Sequence, residues 1–242
     1  ERARLLEALA GFDAAWLDFD FEALEGCRAR LGEAADRAPR ALGHHRARVE
    51  AQLAFVARLR RHERYAILLN HFIVGRHYAR QERHDFAALL FYRTIEGVLV
   101  HGLEASHPEL FAEDGLVPAR LPGEVRRRFE ALDREVLGPT ERLEIPRRLG
   151  YLDAALLLAA FDDPLLKHAD VSIPKGLGHL RRLADARNRS ILAHGFARVT
   201  EEQRRQLEVK ARQLLRALAR RRPPGMKVDT EPEDFELVRF GA

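Results

Sequence analysis

The 242-residue sequence contains a single cysteine, Cys27, and a single methionine, Met226. One cysteine excludes an internal disulfide and any metal site built from several cysteines, and it is consistent with the reducing cytoplasm. No unbroken apolar run approaches the roughly 18 residues of a membrane span, and the N-terminus has no signal-peptide pattern. We therefore expect a cytoplasmic protein that does not associate with a membrane. Because the chain starts at Glu1, we also expect that a preceding N-terminal part has been removed.

Lysine is scarce as well, since it occurs only at positions 167, 175, 210 and 227, so 37 of the 41 basic residues are arginine. Arginine keeps its charge in any surroundings and binds phosphate through two donors at once. The formal net charge is only +4, and a coding bias or a heat-adapted source accounts for most of the arginine excess. Composition alone therefore does not identify a nucleic-acid-binding protein.

Helical periodicity dominates the chain, with apolar residues at i, i+3, i+4 and i+7 over most of its length. The sequence contains no repeats, no βαβ alternation and no glycine-rich phosphate loop. We predict an all-α helical bundle with additional helices and a short β-hairpin in the C-terminal tail. The predicted helices are residues 20–37, 45–83 (one helix, or two end to end), 86–106 capped by Asp85, 123–137, 147–161 after Pro146, 176–194 stopped by Gly195, and 201–221; residues 106–123 are predicted to be a loop.

We expect a single helical domain over residues 1–242, large enough to bury a substantial core because 46% of its residues are hydrophobic. Within it we distinguish an N-terminal helical part (1–83), a core (84–222) and a C-terminal tail (223–242). Residues Thr200 to Gln203 have the pattern of a capping box, which marks the start of the last helix.

The segment HLRRLADARNRSILAHGF, residues 179–196, contains the residues best suited to chemistry. Arg187 and His194 are seven residues apart, about 700° around a helix, so a continuous helix would place them on one face about 10 Å apart along its axis. They would not touch, but both could reach one phosphodiester. Asn188 adds a neutral donor and acceptor, and Asp185 could orient Arg187. Ser190 is small enough to allow close approach of another chain or of a nucleic acid backbone.

These residue types are suited to RNA cleavage without a metal ion or other cofactor. When a ribose 2′-hydroxyl attacks the neighbouring phosphate, a guanidinium offsets the negative charge that develops. An imidazole with a pKa near 6.5 can transfer the proton. A histidine at a helix C-terminus can also serve only to interact with the helix dipole.

Spacing alone does not single out this pair, because Arg37–His44, Arg40–His45 and Arg64–His71 also match it. The 187–194 pair is preferred because Asn188 directly follows the arginine and a glycine follows the histidine. Arg189 is at a suitable spacing from His194 too, but on a helix it would point about 140° away.

The segment RNRSILAHG resembles the R-x4–6-H motif of HEPN ribonucleases, in which a polar residue often follows the arginine. It is most similar to the HEPN domain of the CRISPR-associated CARF–HEPN ribonucleases of type III interference systems. Residues 91–103, FYRTIEGVLVHGL, also resemble the YRxxE helix of that group. The resemblance covers most of the chain.

This resemblance implies a homodimer in which Arg187, Asn188 and His194 of both copies form one composite site that cleaves RNA. It also implies an N-terminal CARF sensor domain that binds cyclic oligoadenylate and activates the ribonuclease. No such domain is recognisable in this sequence, so activator control would depend on a domain missing from the chain.

Other charged residues have weaker claims to a role. Arg181 and Arg182 precede Arg187 on the same predicted helix and are candidates, with Arg189 and Ser190, for contacts to RNA. Arg93 and Glu96 lie one turn apart on a very apolar helix, and we expect an internal ion pair or a supporting role near the site. Tyr92 is expected in the core. We expect no metal site, since no carboxylate or cysteine accompanies the cluster His44, His45, His62 and His77 at ligand spacing.

Three functions remain compatible with these features. The preferred one is an endoribonuclease acting on single-stranded RNA, whose ribose and phosphate are exposed. The alternatives are a non-catalytic HEPN-type module that binds RNA or nucleotide, and a structural dimerisation domain.

Overall fold

The computed structural model describes residues 2–37, 43–138, 144–189 and 197–221. Within them the chain forms ten α-helices, one short hairpin and two 3₁₀ turns, which confirms the all-α class. The helices are α1 (Arg2–Leu17), α2 (Phe21–Asp36), α3 (Gly43–Arg60), α4 (Arg64–Arg80), α5 (His84–Ser106), α6 (Gly123–Leu137), α7 (Tyr151–Ala160), α8 (Pro164–His168), α9 (Lys175–Asn188) and α10 (Glu201–Arg221); the 3₁₀ turns are Pro108–Leu110 and Pro118–Arg120, and the strands are β1 (Phe111–Ala112) and β2 (Gly115–Leu116).

The segment 45–83 forms two helices, the second of the two predicted possibilities, and His62 in the turn between them has a positive φ of 52°. Two other local predictions need correction. Helix α7 begins at Tyr151 rather than after Pro146, because the carbonyl of Arg147 accepts a hydrogen bond from Leu116 of β2 (2.9 Å). That hairpin lies inside the predicted loop 106–123, whereas the hairpin predicted for the tail falls outside the described residues.

The chain divides into two compact units, and the first comprises α1, α2, α3 and the start of α4 up to Ile67. Its core contains an aromatic cluster in which Trp16 stacks on Phe55 (ring centroids 5.7 Å apart) and meets Phe12 edge to face (5.5 Å). At its surface Glu25 pairs with Arg28 (2.6 Å) and Arg60 (2.8 Å). These guanidinium groups, Arg28 above all, hold the pKa of the Glu25 carboxyl below its ordinary value.

The second unit, from Leu68 onward, is organised around α5. Ten buried residues cover about half of the circumference of this helix, and α7, α9 and α10 pack against it. Tyr92 of α5 is buried and stacks on Tyr151 of α7, with ring centroids 4.9 Å apart, so its predicted core position is confirmed. Complete burial and the neighbouring Tyr92 raise the pKa of Tyr151 well above its ordinary value.

Helices α5 and α10 run in the same direction and are tied together at both ends. At their C-terminal ends the buried carboxylate of Asp163 accepts hydrogen bonds from Arg221 of α10 (2.9 Å) and Ser106 of α5 (2.5 Å). The same carboxylate caps α8 by accepting from the backbone N–H of Leu165 (2.8 Å). At their N-terminal ends Asp85 of α5 accepts from the backbone N–H of Val199, two residues before α10 begins (2.9 Å).

Among the described helices, α5 is long and apolar enough to cross a membrane by length and composition, with a mean hydropathy of 1.3 over 18 residues. In this structure 56% of that window is buried inside the protein, and a core helix meets the same criterion. The division of the chain at residues 83 and 222 drawn from the sequence stays a prediction.

Gly115 permits the tight contact between the hairpin and Arg147. Its φ is +110°, and an added Cβ would lie 2.6 Å from the Arg147 carbonyl oxygen. We expect Gly115→Ala to lower the free energy of unfolding by roughly 2–3 kcal/mol, since strain and a clash combine. Gly138→Ala is the control, because Gly138 also has a positive φ (+83°) but nothing lies within 4 Å of an added Cβ. Chemical denaturation of both variants measures the difference, and equal losses would show that the carbonyl contact costs nothing.

Candidate active site

Helix α9 presents its last turn at the protein surface. Four apolar side chains anchor the helix in the core, Leu177, Leu180, Leu183 and Ala184. Beyond them Asp185 is exposed, and so is Asn188, the last residue of the helix. The helix therefore ends at Asn188 and not at His194 as predicted, because no apolar residue between positions 187 and 190 could bury a further turn.

The chain beyond α9 returns to the end of the helix. Arg189 is exposed and lies in a turn, its N–H donating to the carbonyl of Asp185 (3.1 Å). The N–H of Ala197 donates in turn to the carbonyl of Arg189 (3.2 Å). The two ends of the segment that contains His194 are thus hydrogen-bonded to each other. Ser190, His194 and the side chain of Arg187 lie outside the described residues, so their grouping stays a prediction.

The segment after this contact is fixed to the core and leads into α10. Val199 is buried, and its N–H donates to Asp85. Thr200 and Gln203 then form the predicted capping box: the Gln203 N–H donates to Thr200 Oγ1 (3.2 Å), and the Thr200 N–H donates to Gln203 Oε1 (3.0 Å). Two of the free N–H groups at the start of α10 are satisfied in this way.

The structure assigns different contacts to the other charged candidates on α9. Arg181 donates to the carbonyl of Val136 at the end of α6 (2.5 Å) and lies 3.7 Å from Asp185. These contacts favour a structural role for Arg181. Arg182 is exposed, so it remains the better candidate for a contact with RNA.

An open groove of about 440 Å³ lies between α9 and α10. Its lining includes His179 of α9 and the half-buried Lys210 of α10. Burial lowers the pKa of His179, and the positive charges of Arg182 and Lys210 lower it further. Burial also lowers the pKa of Lys210, whereas Asp170 opposes that shift. His179 and Lys210 therefore lose their protons at a lower pH than the same side chains do when they are fully exposed to water.

Arg93 and Glu96 form the expected ion pair (2.6 Å), but not inside the core. The Arg93 side chain is 52% exposed, because both residues lie on the half of α5 that is not covered by neighbouring helices. Arg93 acts on His71 of α4, whose pKa is lowered mainly by burial and also by this guanidinium. A supporting role of the pair near the site stays a prediction.

The structure also bears on the competing arginine–histidine pairs. Arg64 is the first residue of α4. The side chains of His44 and His45 lie outside the described part. Among the residues that are described, no group of three or more histidine, cysteine, aspartate or glutamate side chains is placed to hold a metal ion.

Sequence reasoning missed the function of Asp85, which was predicted to cap α5. Arg83 occupies the cap position instead, and the Asp85 carboxylate reaches the segment after the motif. The two partners are 114 residues apart, so no local pattern could reveal their contact. The polar run QERHDF, residues 81–86, between two apolar helices was the available signal.

The sequence also matches a known protein family. The family model described as the Csm6 HEPN domain matches residues 57–218. The chain belongs to this family. The matched range includes the whole Arg187–His194 segment and all of α5, so both segments on which the HEPN resemblance was based lie within it. The Csm6 HEPN domain represents a CRISPR-associated ribonuclease family. A comparison with curated proteins gave no match.

The bond between Asp85 and Val199 yields a first test at this site. Asp85→Ala removes a charged acceptor, so we expect hydrogen exchange at the Val199 amide to accelerate by about tenfold or more. Asp85→Asn keeps an oxygen at the same position and should have a smaller effect. Hydrogen–deuterium exchange followed by NMR reports both rates. Unchanged protection in Asp85→Ala would contradict the contact.

The groove between α9 and α10 yields a second test. Removing a positive charge next to a histidine favours its protonated form, so Arg182→Gln should raise the pKa of His179 toward its ordinary value. The pKa should stay somewhat below that value, because burial is the larger cause. Arg181→Gln is the matched control, since the guanidinium of Arg181 is engaged with Val136. An NMR titration in which Arg181→Gln has the larger effect would contradict this assignment.

Proposed function

We propose that this chain is an endoribonuclease that cleaves single-stranded RNA without a metal ion. Its active site is formed by Arg187, Asn188 and His194 of two copies of the chain. The observation that carries the proposal is the family match, which includes an intact Arg–Asn–His motif. The exposure of Asn188 at the end of α9 supports it, since a residue that acts on RNA must be accessible.

The reaction needs only groups that this motif contains. The ribose 2′-oxygen forms a bond to the adjacent phosphorus, and the bond from phosphorus to the 5′-oxygen breaks. The products are a 2′,3′-cyclic phosphate and a 5′-hydroxyl. His194 of one copy accepts the proton of the 2′-hydroxyl, and its counterpart in the second copy donates a proton to the 5′-oxygen. Arg187 offsets the charge of the transition state, and Asn188 orients the phosphate.

A composite site follows from the in-line geometry of the reaction. A single histidine can accept the 2′-hydroxyl proton or protonate the leaving oxygen, but the two oxygens lie on opposite sides of the phosphorus in an in-line displacement. Two copies of the motif supply two imidazoles and two guanidinium groups to one phosphate. Membership in the Csm6 HEPN family supports this dimeric arrangement and a role in type III CRISPR defence. Control by cyclic oligoadenylate through a separate sensor domain stays a prediction.

The test uses labelled single-stranded RNA in excess EDTA, with wild-type protein, His194→Ala and Arg187→Ala. We expect cleavage by the wild type and a loss of at least about 10²-fold in both variants, since each removes a group that acts on the transition state. Both variants should keep the thermal stability of the wild type, because an active-site side chain at a dimer surface contributes little to the core. A large fall in melting temperature for Arg187→Ala would contradict the assignment.

Mixed dimers distinguish a composite site from two independent ones. Wild type and His194→Ala are co-expressed with different tags at varied ratios. A composite site predicts that activity falls with the square of the wild-type fraction, whereas independent sites predict direct proportion. Binding of RNA without cleavage by the wild type would support a non-catalytic module instead, and no effect on RNA would support a dimerisation domain.

A further inference from the structure

A pocket at the junction of α4 and α5 adjoins the segment that follows the motif. We refer to it as the corner pocket, and its volume is about 360 Å³. This size is near the lower end of small-molecule sites, which span roughly 300–1,000 Å³. Seven residues line it: Glu82, Arg83, His84, Asp85, Phe86, Arg198 and Val199.

An aromatic side chain and a stacked guanidinium form part of the pocket wall. Phe86 is 39% exposed, which is unusual for a phenylalanine. The Arg83 guanidinium lies 4.2 Å from the centre of the Phe86 ring and 4.8 Å from that of Tyr78. These contacts fix the orientation of a planar cation that is itself exposed. Aromatic rings and arginine planes are the surfaces on which proteins stack unpaired RNA bases.

Polar groups of the pocket complement this stacking surface. Arg198 is exposed and pairs with no carboxylate among the residues that the structure describes. The Nδ1 atom of His84 is buried and likewise has no hydrogen-bond partner within the described part of the chain. The Asp85 carboxylate, in contrast, is already engaged by Val199.

The pocket is connected directly to the proposed active site. Ala197, whose N–H meets the Arg189 carbonyl, is the residue before Arg198. Because consecutive Cα atoms are about 3.8 Å apart, the four bonds from His194 to Arg198 span at most about 15 Å. The length of one nucleotide in an extended strand is a substantial part of this span. A strand held at the motif therefore has its next nucleotides within reach of the corner pocket.

We propose that the corner pocket binds one base of the RNA strand, next to the nucleotide that is cut, and thereby sets base preference at that position. The base stacks on Phe86 and Arg83, and Arg198 contacts the adjoining phosphate. This assignment rests on the proposed ribonuclease function. A double-stranded substrate does not suit it, since the pocket has room for a single splayed base and a paired base is not available for stacking.

The first experiment measures binding separately from cleavage. In a His194→Ala background, a single-stranded RNA oligonucleotide is titrated in a fluorescence anisotropy assay. Phe86→Leu, which keeps an apolar side chain but removes the ring, should raise Kd about tenfold. Phe86→Tyr keeps the ring and should bind like the parent. Leu6→Ala is the control for loss of an equally exposed apolar side chain (39%) in the first unit and should have no effect.

The second experiment locates the base. RNA carrying 4-thiouridine should crosslink to the peptide that contains residues 82–86 in the parent protein, and much less in Phe86→Leu. With the catalytic histidine restored, cleavage of a randomised RNA should show a base preference at one position beside the cut. Phe86→Leu should weaken that preference, with a larger effect on KM than on kcat.

The two proposals fail in different ways. RNA cleavage by the wild type, together with unchanged Kd and unchanged cut sites in Phe86→Leu, would overturn the corner pocket and leave the ribonuclease intact. Absence of any cleavage would overturn the ribonuclease, and the binding and crosslinking results would then decide on the pocket alone. Crosslinks to other peptides only would overturn the pocket in either case.

Discussion

The parallel pairing of α5 and α10 is the interaction on which the second unit depends. The N-terminal ends of the two helices lie together, and so do their C-terminal ends. A carboxylate accepts hydrogen bonds at each of these places, Asp85 at the N-terminal ends and Asp163 at the C-terminal ends. The apolar contact between them supplies most of the driving force, since every buried methylene contributes about 0.8 kcal/mol. The carboxylates favour the parallel alignment of the two helices, because each accepts hydrogen bonds from groups that only this alignment brings within reach.

This pairing determines where the motif can lie. The connection from α9 to α10 must reach the N-terminal end of α10, and Asp85 fixes that connection to the N-terminal end of α5. The segment after the motif therefore lies beside the N-terminal end of α5. The buried apolar side chains of α9 end at Ala184 among those described, so the anchors of this helix precede the motif in the chain.

Sequence periodicity predicted those features whose cause is local. The helices α2, α6 and α10 and the capping box at Thr200 follow from apolar spacing and from side chains within one turn. The residues that hold the two ends of α5 and α10 together are not local. Asp85 and Val199, and likewise Ser106 and Arg221, meet across more than 100 residues, and the sequence contains no spacing rule that links them. The length of α9 was overestimated because helix propensity continues past Asn188, although the helix ends there.

The arginine content acquires a clearer meaning once its partners are known. Part of it serves ion pairs within the protein, as in the cluster where Glu208 binds both Arg204 (2.5 Å) and Arg212 (3.0 Å). The net charge is only +4 because 37 acidic residues nearly balance the 41 basic ones. Under the proposed function, exposed arginines that pair with no carboxylate in the described part of the chain are the ones able to contact RNA phosphates. Arg198 is one of these, and it lies four residues after His194, close in sequence to the residues proposed to cut the RNA.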